Sequence, residues 1–377
     1  MDRVKALAVH YHDRHVGTLA LYQNRFAAFE YSREWLSDGF SISPFSLPLE
    51  KRVFIPEMEP FEGIFGVFAD SIPDGWGRLL LDRLMRRNGI DPACLGNLDR
   101  LAIVGGTGMG ALTYRPVIIL DAADMGMALD EIAAECEKLL QDRHSDNLDT
   151  LFAKGGSSGG ARPKILTKVD GEDWIIKFPS SDDSRDIGKQ EYDYTACAAA
   201  CGIEIAPFRL FDSEKCSGYF GMKRFDRTGS GEDDRVHMVS VSGLLETSHR
   251  IPSLDYDSLM RLTLQLTKDM GECEKMYRRM CFNVFAHNRD DHSRNFSYLY
   301  KEGEERWVLS PAYDLTYSNS LGGEHATMVH GNGASPGMRD VLVVARDIGI
   351  SPGRAKAIAG DIRECVAEKL GEYVSIL

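Results

Sequence analysis

The chain has 377 residues, 43% of them hydrophobic and 27% charged, an ordinary globular composition that excludes a fibrous or wholly disordered protein. With 44 Lys+Arg against 57 Asp+Glu the net charge is −13, a field that repels a nucleic-acid duplex or an anionic membrane as the main partner. The opening MDRVKALAVHYHD holds no apolar signal segment, and no apolar run reaches the roughly 18 residues of a span, so neither a secretory leader nor a membrane helix is expected.

In chain order, VKALAVHYH, HVGTLAL and FAAFEY (within residues 4–31) read as three short strands, with hairpin turns at Asp13-Arg14 and Gln23-Asn24. His10 and His12 then share one strand face. With His15 they are expected to be surface histidines, since no Cys or carboxylate completes a ligand set. DGWGRLLLDRLMRRNG reads as a helix with Leu79, Leu80, Leu81 and Leu84 on its apolar side and Gly89 as its stop. AIVGGTGMG, residues 102–110, is superficially a dinucleotide loop, but the β-rich ALTYRP follows it where a helix is required. A structural glycine loop between two strands is therefore expected. A helix is expected over Leu129–Leu140, and polar RHSDNLDT after it reads as a linker.

From residue 155 the order is glycine loop (GGSSGGARPK), strand (ILTKV), turn, and a second strand in GEDWIIKFP. Walker A is excluded, because no Gly-Lys-Ser/Thr leads into a helix. A glycine loop between strands with a lysine on a later strand is the layout of a kinase-like nucleotide lobe. There, glycine lets backbone N–H groups close over phosphates, and Lys177 would bring positive charge to them. GKQEYDYTACAAACG is expected to be a helix from about Asp186 to Cys201, with Glu191 placed to hold that lysine. The eight cysteines are scattered without a Cys-x-x-Cys pair, which points to the cytoplasm; Cys197 and Cys201 are expected to be small packing residues of this helix. Tyr219–Phe225 reads as a strand whose backbone would face an adenine ring.

The most specific constellation is FNVFAHNRDDHSRNFSYLY, residues 282–300. A helix from Met276 to His287 leads into a loop in which Asp290 and Asn295 stand five apart, the spacing of a kinase catalytic Asp and a Mg2+-binding Asn. A hairpin of Phe296–Tyr300 with Trp307–Ser310 would then bring the Ala312–Asp314 segment back beside Asn295, placing two hard oxygen ligands about one Mg2+.

These segments resemble the HipA-like serine/threonine kinases, the toxins of HipBA-type toxin–antitoxin pairs. The resemblance runs through YSREWLSDG, FADSIPDGWGRLLLDR, GGTGMGALTYRP, GGSSGGARPK, WIIKFP, QEYDY, MKRFDR, DDHSRNFS and SPAYDLTYS. It implies an α+β, protein-kinase-like two-lobed fold with a small β-rich N-terminal domain and a mostly helical C-terminal lobe. The implied divisions are residues 1–120, a nucleotide lobe over 121–225 and a catalytic lobe over 226–377. It implies an ATP site from Ser157, Ser158, Gly159, Gly160, Ala161, Arg162, Lys164, Lys177, Lys223, Arg224, Phe225, His292, Asn295 and Asp314, with Glu191 in support. Asp290 is then the catalytic carboxylate, Asn295 and Asp314 hold Mg2+, and autophosphorylation falls on Ser157 or Ser158. A protein substrate with a Ser/Thr acceptor and a HipB-like helix-turn-helix antitoxin are the implied partners, with no direct nucleic-acid or membrane contact. The tail MRDVLVVARDIGISPGRAKAIAGDI is expected to pack within the helical lobe rather than read DNA.

Two other readings use the same residues. A small-molecule kinase shares Asp-x4-Asn, though such enzymes usually carry His where Asn288 stands. An inactive nucleotide-binding module that sequesters a partner is the other, and the intact Lys177, Asp290, Asn295 and Asp314 argue against it.

Overall fold

The computed structural model describes residues 3–120, 126–157, 159–229, 231, 234–320 and 322–374. The first strands follow the hydrophobic alternation of the sequence. β1 (Ala6–Tyr11), β2 (Arg14–Tyr22) and β3 (Phe26–Tyr31) form an antiparallel meander. Leu7, Val9 and Tyr11 of β1 turn inward while their neighbours face out, as a period of two requires. The first turn is His12–Asp13, one residue earlier than expected, and it takes His12 off the strand at φ 52°. His12 Nε2 there meets the Arg235 carbonyl at 2.9 Å. The short helix α1 (Arg33–Asp38) and β4 (Val53–Phe54) follow, then α2 (Gly66–Ala69) and α3 (Gly75–Arg87). In α3, Leu80, Leu81 and Leu84 are buried, and Gly89 ends the helix region at φ 73°.

The run before GGTGMG is the end of a helix, α4 (Asn97–Val104), rather than a strand. The reason is local: Asp99, three residues past the cap, accepts from Gly96 N at 2.9 Å, and Leu98, Leu101 and Ala102 bury one face. The glycine loop then joins helix to strand, and β5 (Leu112–Arg115) completes a sheet of order β4-β3-β2-β1-β5. α5 (Leu129–Leu140) has the expected bounds. The supposed linker becomes helical at Leu148, the start of α6 (Leu148–Gly155), because Leu148 and Leu151 are buried in the core that holds Leu80 and Leu84 of α3. A helix, not a strand, therefore precedes the second glycine loop.

β6 (Lys164–Val169) and β7 (Glu172–Lys177) pair through an Asp170-Gly171 turn, both residues at positive φ. After α7 (Ile187–Ala200), β8 (Phe208–Phe211) and β9 (Tyr219–Lys223) complete a sheet of order β6-β7-β9-β8. β9 stops two residues short of the expected Phe225. Arg224 N still reaches the Asp173 carbonyl at 2.8 Å, but its side chain turns to a buried carboxylate described below.

The chain divides into two compact units: residues 1–188, 209–239 and 243–246, and residues 189–208, 240–242 and 247–377. The strand β10 (Met238–Ser240) and the short helix α8 (Val241–Leu244) lie where the chain crosses from one to the other. The second unit is mostly helical. β11 (Leu254–Asp255) leads into α9 (Tyr256–Thr267) and α10 (Met270–Phe285), and the hairpin β12 (Ser297–Lys301) with β13 (Arg306–Leu309) follows. β14 (Thr327–Met328) pairs in parallel with β11. The tail forms α11 (Met338–Ile348), α12 (Pro352–Lys369) and α13 (Gly371–Val374), with Ala355, Ile358, Ala359, Ile362 and Val366 of α12 buried.

Candidate active site

The Asp170-Gly171 turn sets the register of β6 against β7, and that register makes Lys164 and Lys177 cross-strand partners. Directly opposed residues project from the same face, so two half-buried lysines share it. The next pair on that face is Leu166 with Ile175, and Ile175 also pairs with Met222 of β9. One face thus offers two cations and, beside them, an apolar floor. Lys164 Nζ lies over the glycine loop, 2.7 Å from where a Cβ on Gly160 would stand, and Lys177 Nζ lies 5.8 Å from the Phe220 ring centroid.

The loop is clasped by the start of α3. Gly160 N donates to Asp74 Oδ1 at 2.5 Å, and Trp76 N donates to Gly160 O at 2.9 Å. Trp76 Nε1 reaches the Lys164 carbonyl at 3.1 Å. The approach is so close that a Cβ on Gly75, itself at φ 43°, would lie 2.3 Å from Gly160 O. Gly160 sits at φ 83°, a conformation L side chains rarely adopt. Ser157 Oγ donates to Thr107 O of the first glycine loop at 3.1 Å. Ser158 lies outside the described residues. Ala161 is exposed, and Arg162 makes a two-pronged pair with Asp183, both bonds at 3.0 Å. Burial alone would raise the Asp183 carboxyl; the Ser180 amide and the Arg162 guanidinium outweigh it and hold the carboxyl below its usual range.

The MKRFDR segment is committed elsewhere. Lys223 Nζ bonds the Glu172 carboxylate. Arg224 bonds Asp226 through Nε at 3.0 Å and Nη2 at 2.8 Å, and also reaches Gly108 O at 3.1 Å. Arg227 joins the same buried cluster, and Gly110 N donates to Asp226 Oδ2 at 2.7 Å. Burial would raise the Asp226 carboxyl, but the two guanidinium groups and the Gly110 amide hold it at about 2. The network thereby fastens the GGTGMG loop to the end of β9. Phe225 is half-buried, so what this segment presents is Phe225 and backbone, not the Lys223 or Arg224 cation.

In the second unit α10 ends at Phe285, and the loop after it is knit by short bonds. Asn295 Nδ2 donates to the Asp290 carbonyl at 2.6 Å, and His292 Nε2 lies 3.9 Å from Asp290 Oδ1. Because the Asn295 amide nitrogen must face a carbonyl, its oxygen is turned away and remains a hard donor. The Asp290 carboxylate is largely exposed, at 62%. The β12–β13 hairpin closes with Ser310 N on Ser297 O at 2.9 Å, and Tyr313 Oη donates to the Arg294 carbonyl at 2.7 Å. The residues before Asn295 and Asp314 are therefore in contact. Asp314 itself is at φ 53°, a strained position for a non-glycine residue. Glu191 is buried on α7 at 2% exposure.

Sequence reasoning missed what holds this loop. Asp291 is buried and accepts from Tyr256 Oη at 2.9 Å, His325 Nδ1 at 3.1 Å and Thr327 N at 3.1 Å. Tyr256 Oη in turn accepts from Asn283 Nδ2 at 2.9 Å, and Asn283 Oδ1 accepts from Asn288 Nδ2 at 3.0 Å. Burial, with the Asp291 charge beside it, pushes the Tyr256 phenol well above its ordinary range, so it stays a donor. The Asp74 clasp and the Leu166, Ile175 and Met222 floor were also unforeseen.

Two family models cover most of the chain. One described as the HipA N-terminal domain matches residues 7–115, and one described as the HipA-like C-terminal domain matches residues 156–370. The chain belongs to the HipA family. The fold agrees: HipA of Shewanella oneidensis MR-1, solved in a complex of HipA, HipB and its operator DNA, aligns with a TM-score of 0.72 at 16% identity. That alignment covers 98% of this chain and 91% of the other. Among curated proteins, Y4mE of Sinorhizobium fredii (strain NBRC 101917 / NGR234), named as a candidate kinase, is 26% identical over 351 residues. The match spans 83% of this chain and 77% of Y4mE. This HipA-family chain is thus α+β with a β-rich N-terminal part and a mostly helical C-terminal part. Among the described residues no helix is long and apolar enough to cross a membrane.

Proposed function

We propose that this chain is an ATP- and Mg2+-dependent serine/threonine protein kinase that acts as the growth-arresting toxin of a toxin–antitoxin module. The observation that carries the reading is the Lys164–Lys177 cross-strand pair beside the glycine loop. Two cations on one sheet face beside a glycine loop are the groups that grip a polyphosphate. The apolar floor of Leu166, Ile175 and Met222 suits a base. Asn295 and Asp314 fit Mg2+ by chemistry, one amide oxygen and one carboxylate. When bound, the ion would neutralise charge on the transferring phosphoryl group. Asp290, exposed and tethered through its own carbonyl, accepts the proton of the acceptor hydroxyl. Lys164 and Lys177 orient the phosphates.

Ser157 is the proposed autophosphorylation site in the described part of the loop, with Ser158 as the alternative. Phosphate on Ser157 would add about −1.5 to −2 charges and replace its bond to Thr107 O. A HipB-like helix-turn-helix antitoxin is the proposed partner, by likeness to the Shewanella HipA solved with HipB and operator DNA. The chain itself, at net charge −13, is not proposed to contact DNA. Eight free cysteines motivate a cytoplasmic location.

The test is incubation with γ-labelled ATP, alone and with lysate, for the wild type and Asp290→Asn. Label on protein from the wild type only, and phosphate on Ser157 or Ser158 by mass spectrometry, is expected. Label on a small molecule alone would shift the reading to a metabolite kinase. No transfer at all would leave a nucleotide-binding module and refute the kinase.

A further inference from the structure

Cys197, Cys201 and Cys365 take no part in anything described above. Cys197 lies on α7 and Cys201 just past its C-terminal end, and α12 brings Cys365 to them from 164 positions further along the chain. The three sulfur atoms all lie within 4.8 Å of one another. Cys197 Sγ donates to the Cys365 carbonyl at 3.8 Å. Two of the three are buried and Cys365 is partly exposed, which leaves the cluster a route to solvent. A buried cysteine alone is an ordinary small apolar residue. Three that converge on one point are a ligand set.

Three metal–sulfur bonds of about 2.3 Å in one plane put the sulfurs about 4.0 Å apart, so the observed triangle closes on an ion by small side-chain rotations. Among the described residues no His, Asp or Glu belongs to this group. An all-sulfur set selects soft cations and rejects Mg2+, Ca2+ and Mn2+. A structural zinc site takes four protein ligands, and only three are present. We propose that Cys197, Cys201 and Cys365 form a three-coordinate thiolate site for one soft monovalent cation of the copper(I) type. Binding forms three metal–sulfur bonds and releases the thiol protons to solvent, with no change of oxidation state. The thiols are poised unequally. The Cys201 S–H bonded to Cys197 pulls the Cys197 thiol down, with help from the Lys369 charge, and raises Cys201 in turn; burial raises Cys365. An occupied site would tie α7, the helix that carries Glu191, to α12.

The test is anaerobic titration of the reduced full chain with copper(I) against a chromophoric copper(I) chelator, with ultraviolet thiolate-to-copper absorption as a second readout. One equivalent held against the chelator is expected. Cys201→Ser and Cys365→Ser should each weaken it by at least about a hundredfold, since even outer-shell partners of a metal site are worth 10- to 100-fold. Cys94→Ser, at an exposed cysteine outside the cluster, should leave it unchanged. Circular dichroism of each variant controls for folding, and the partly exposed Cys365 is the safer position. Failure to hold copper(I), retention in both cluster variants, or equal loss in Cys94→Ser would overturn the proposal. So would a disulfide among the three found by mass in the protein as purified without reductant.

Discussion

Asp291→Asn tests whether the buried network beneath the candidate catalytic loop sets its position. Both Asp291 oxygens act as acceptors: Oδ1 takes the Thr327 amide at 3.1 Å, and Oδ2 takes Tyr256 Oη at 2.9 Å and His325 Nδ1 at 3.1 Å. The Tyr256 oxygen already accepts from Asn283, so its single proton must go to Asp291. An amide has one oxygen where the carboxylate has two. Turned one way, its NH2 faces the Thr327 N–H; turned the other, it faces the Tyr256 hydroxyl and His325. Either way at least one buried donor loses its acceptor, at about 1–3 kcal/mol. That corresponds to a roughly 5- to 150-fold rise in the population of loops detached from this anchor. Hydrogen exchange of residues 288–295 should accelerate by that factor, a readout that does not depend on the kinase assignment. Phosphoryl transfer should fall about tenfold or more while ATP affinity stays within about twofold, because no ATP-binding side chain is touched. Wild-type exchange and turnover in Asp291→Asn would refute the reasoning. Asp291→Ala, which abandons all three donors, should cost about 3–5 kcal/mol and show as lost folded protein.

Three further outcomes follow from the same geometry. Lys177→Met should weaken a fluorescent ATP analogue by about tenfold or more while the far-ultraviolet circular dichroism stays that of the wild type, since a half-buried cation beside the glycine loop is removed; unchanged affinity would contradict its phosphate role. Gly75→Ala places a Cβ 2.3 Å from Gly160 O, so the second glycine loop must leave α3. Limited proteolysis at residues 155–164 should then run several-fold faster, and unchanged cleavage would mean that the clasp is not what orders the loop. His237 is lowered from 6.5 to about 4 by burial. A depressed histidine contributes stability that is present above pH 6.5 and lost as the pH falls toward 4. Urea midpoints between these values should slope downward on acidification for the wild type and flatten in His237→Phe; equal slopes would remove His237 as the cause.

The parts legible in the sequence were those that local pattern decides. The alternation of β1, the leucine face of α3, the bounds of α5 and the hairpin after Asn295 all follow from periodicity and turn residues. α4 was misread because three apolar residues before glycines look the same at a strand end and at a helix end. What separates them is Asp99 reaching back to Gly96, a bond visible only once the helix exists. α6 was missed because its start is polar and its two inward leucines gain their burial only from the packed core. The Lys164–Lys177 pair was within reach: Asp170-Gly171 is a two-residue turn signal, and counting back from it gives the register. Asp291 was not, since nothing in DDHSRN distinguishes the buried carboxylate from the exposed one beside it. The cysteine cluster joins positions 201 and 365, and no local pattern reports a contact at that separation.

The hydrophobic interior built from Trp76, Leu80, Leu84, Ile132, Leu151, Ile165, Ile176 and Tyr219 draws on both stretches that the family models match separately. Trp76, Leu80 and Leu84 belong to the first stretch; Ile165, Ile176 and Tyr219 belong to the second; Ile132 and Leu151 sit in the interval that neither model covers. The seam drawn by sequence families therefore runs through the middle of one packed interior. Splicing the front of one relative onto the back of another would bring together surfaces shaped for different mates, with voids or overlaps where Trp76 and Leu80 meet the sheet. A size change on either side of this interior has to be answered by a compensating change on the other.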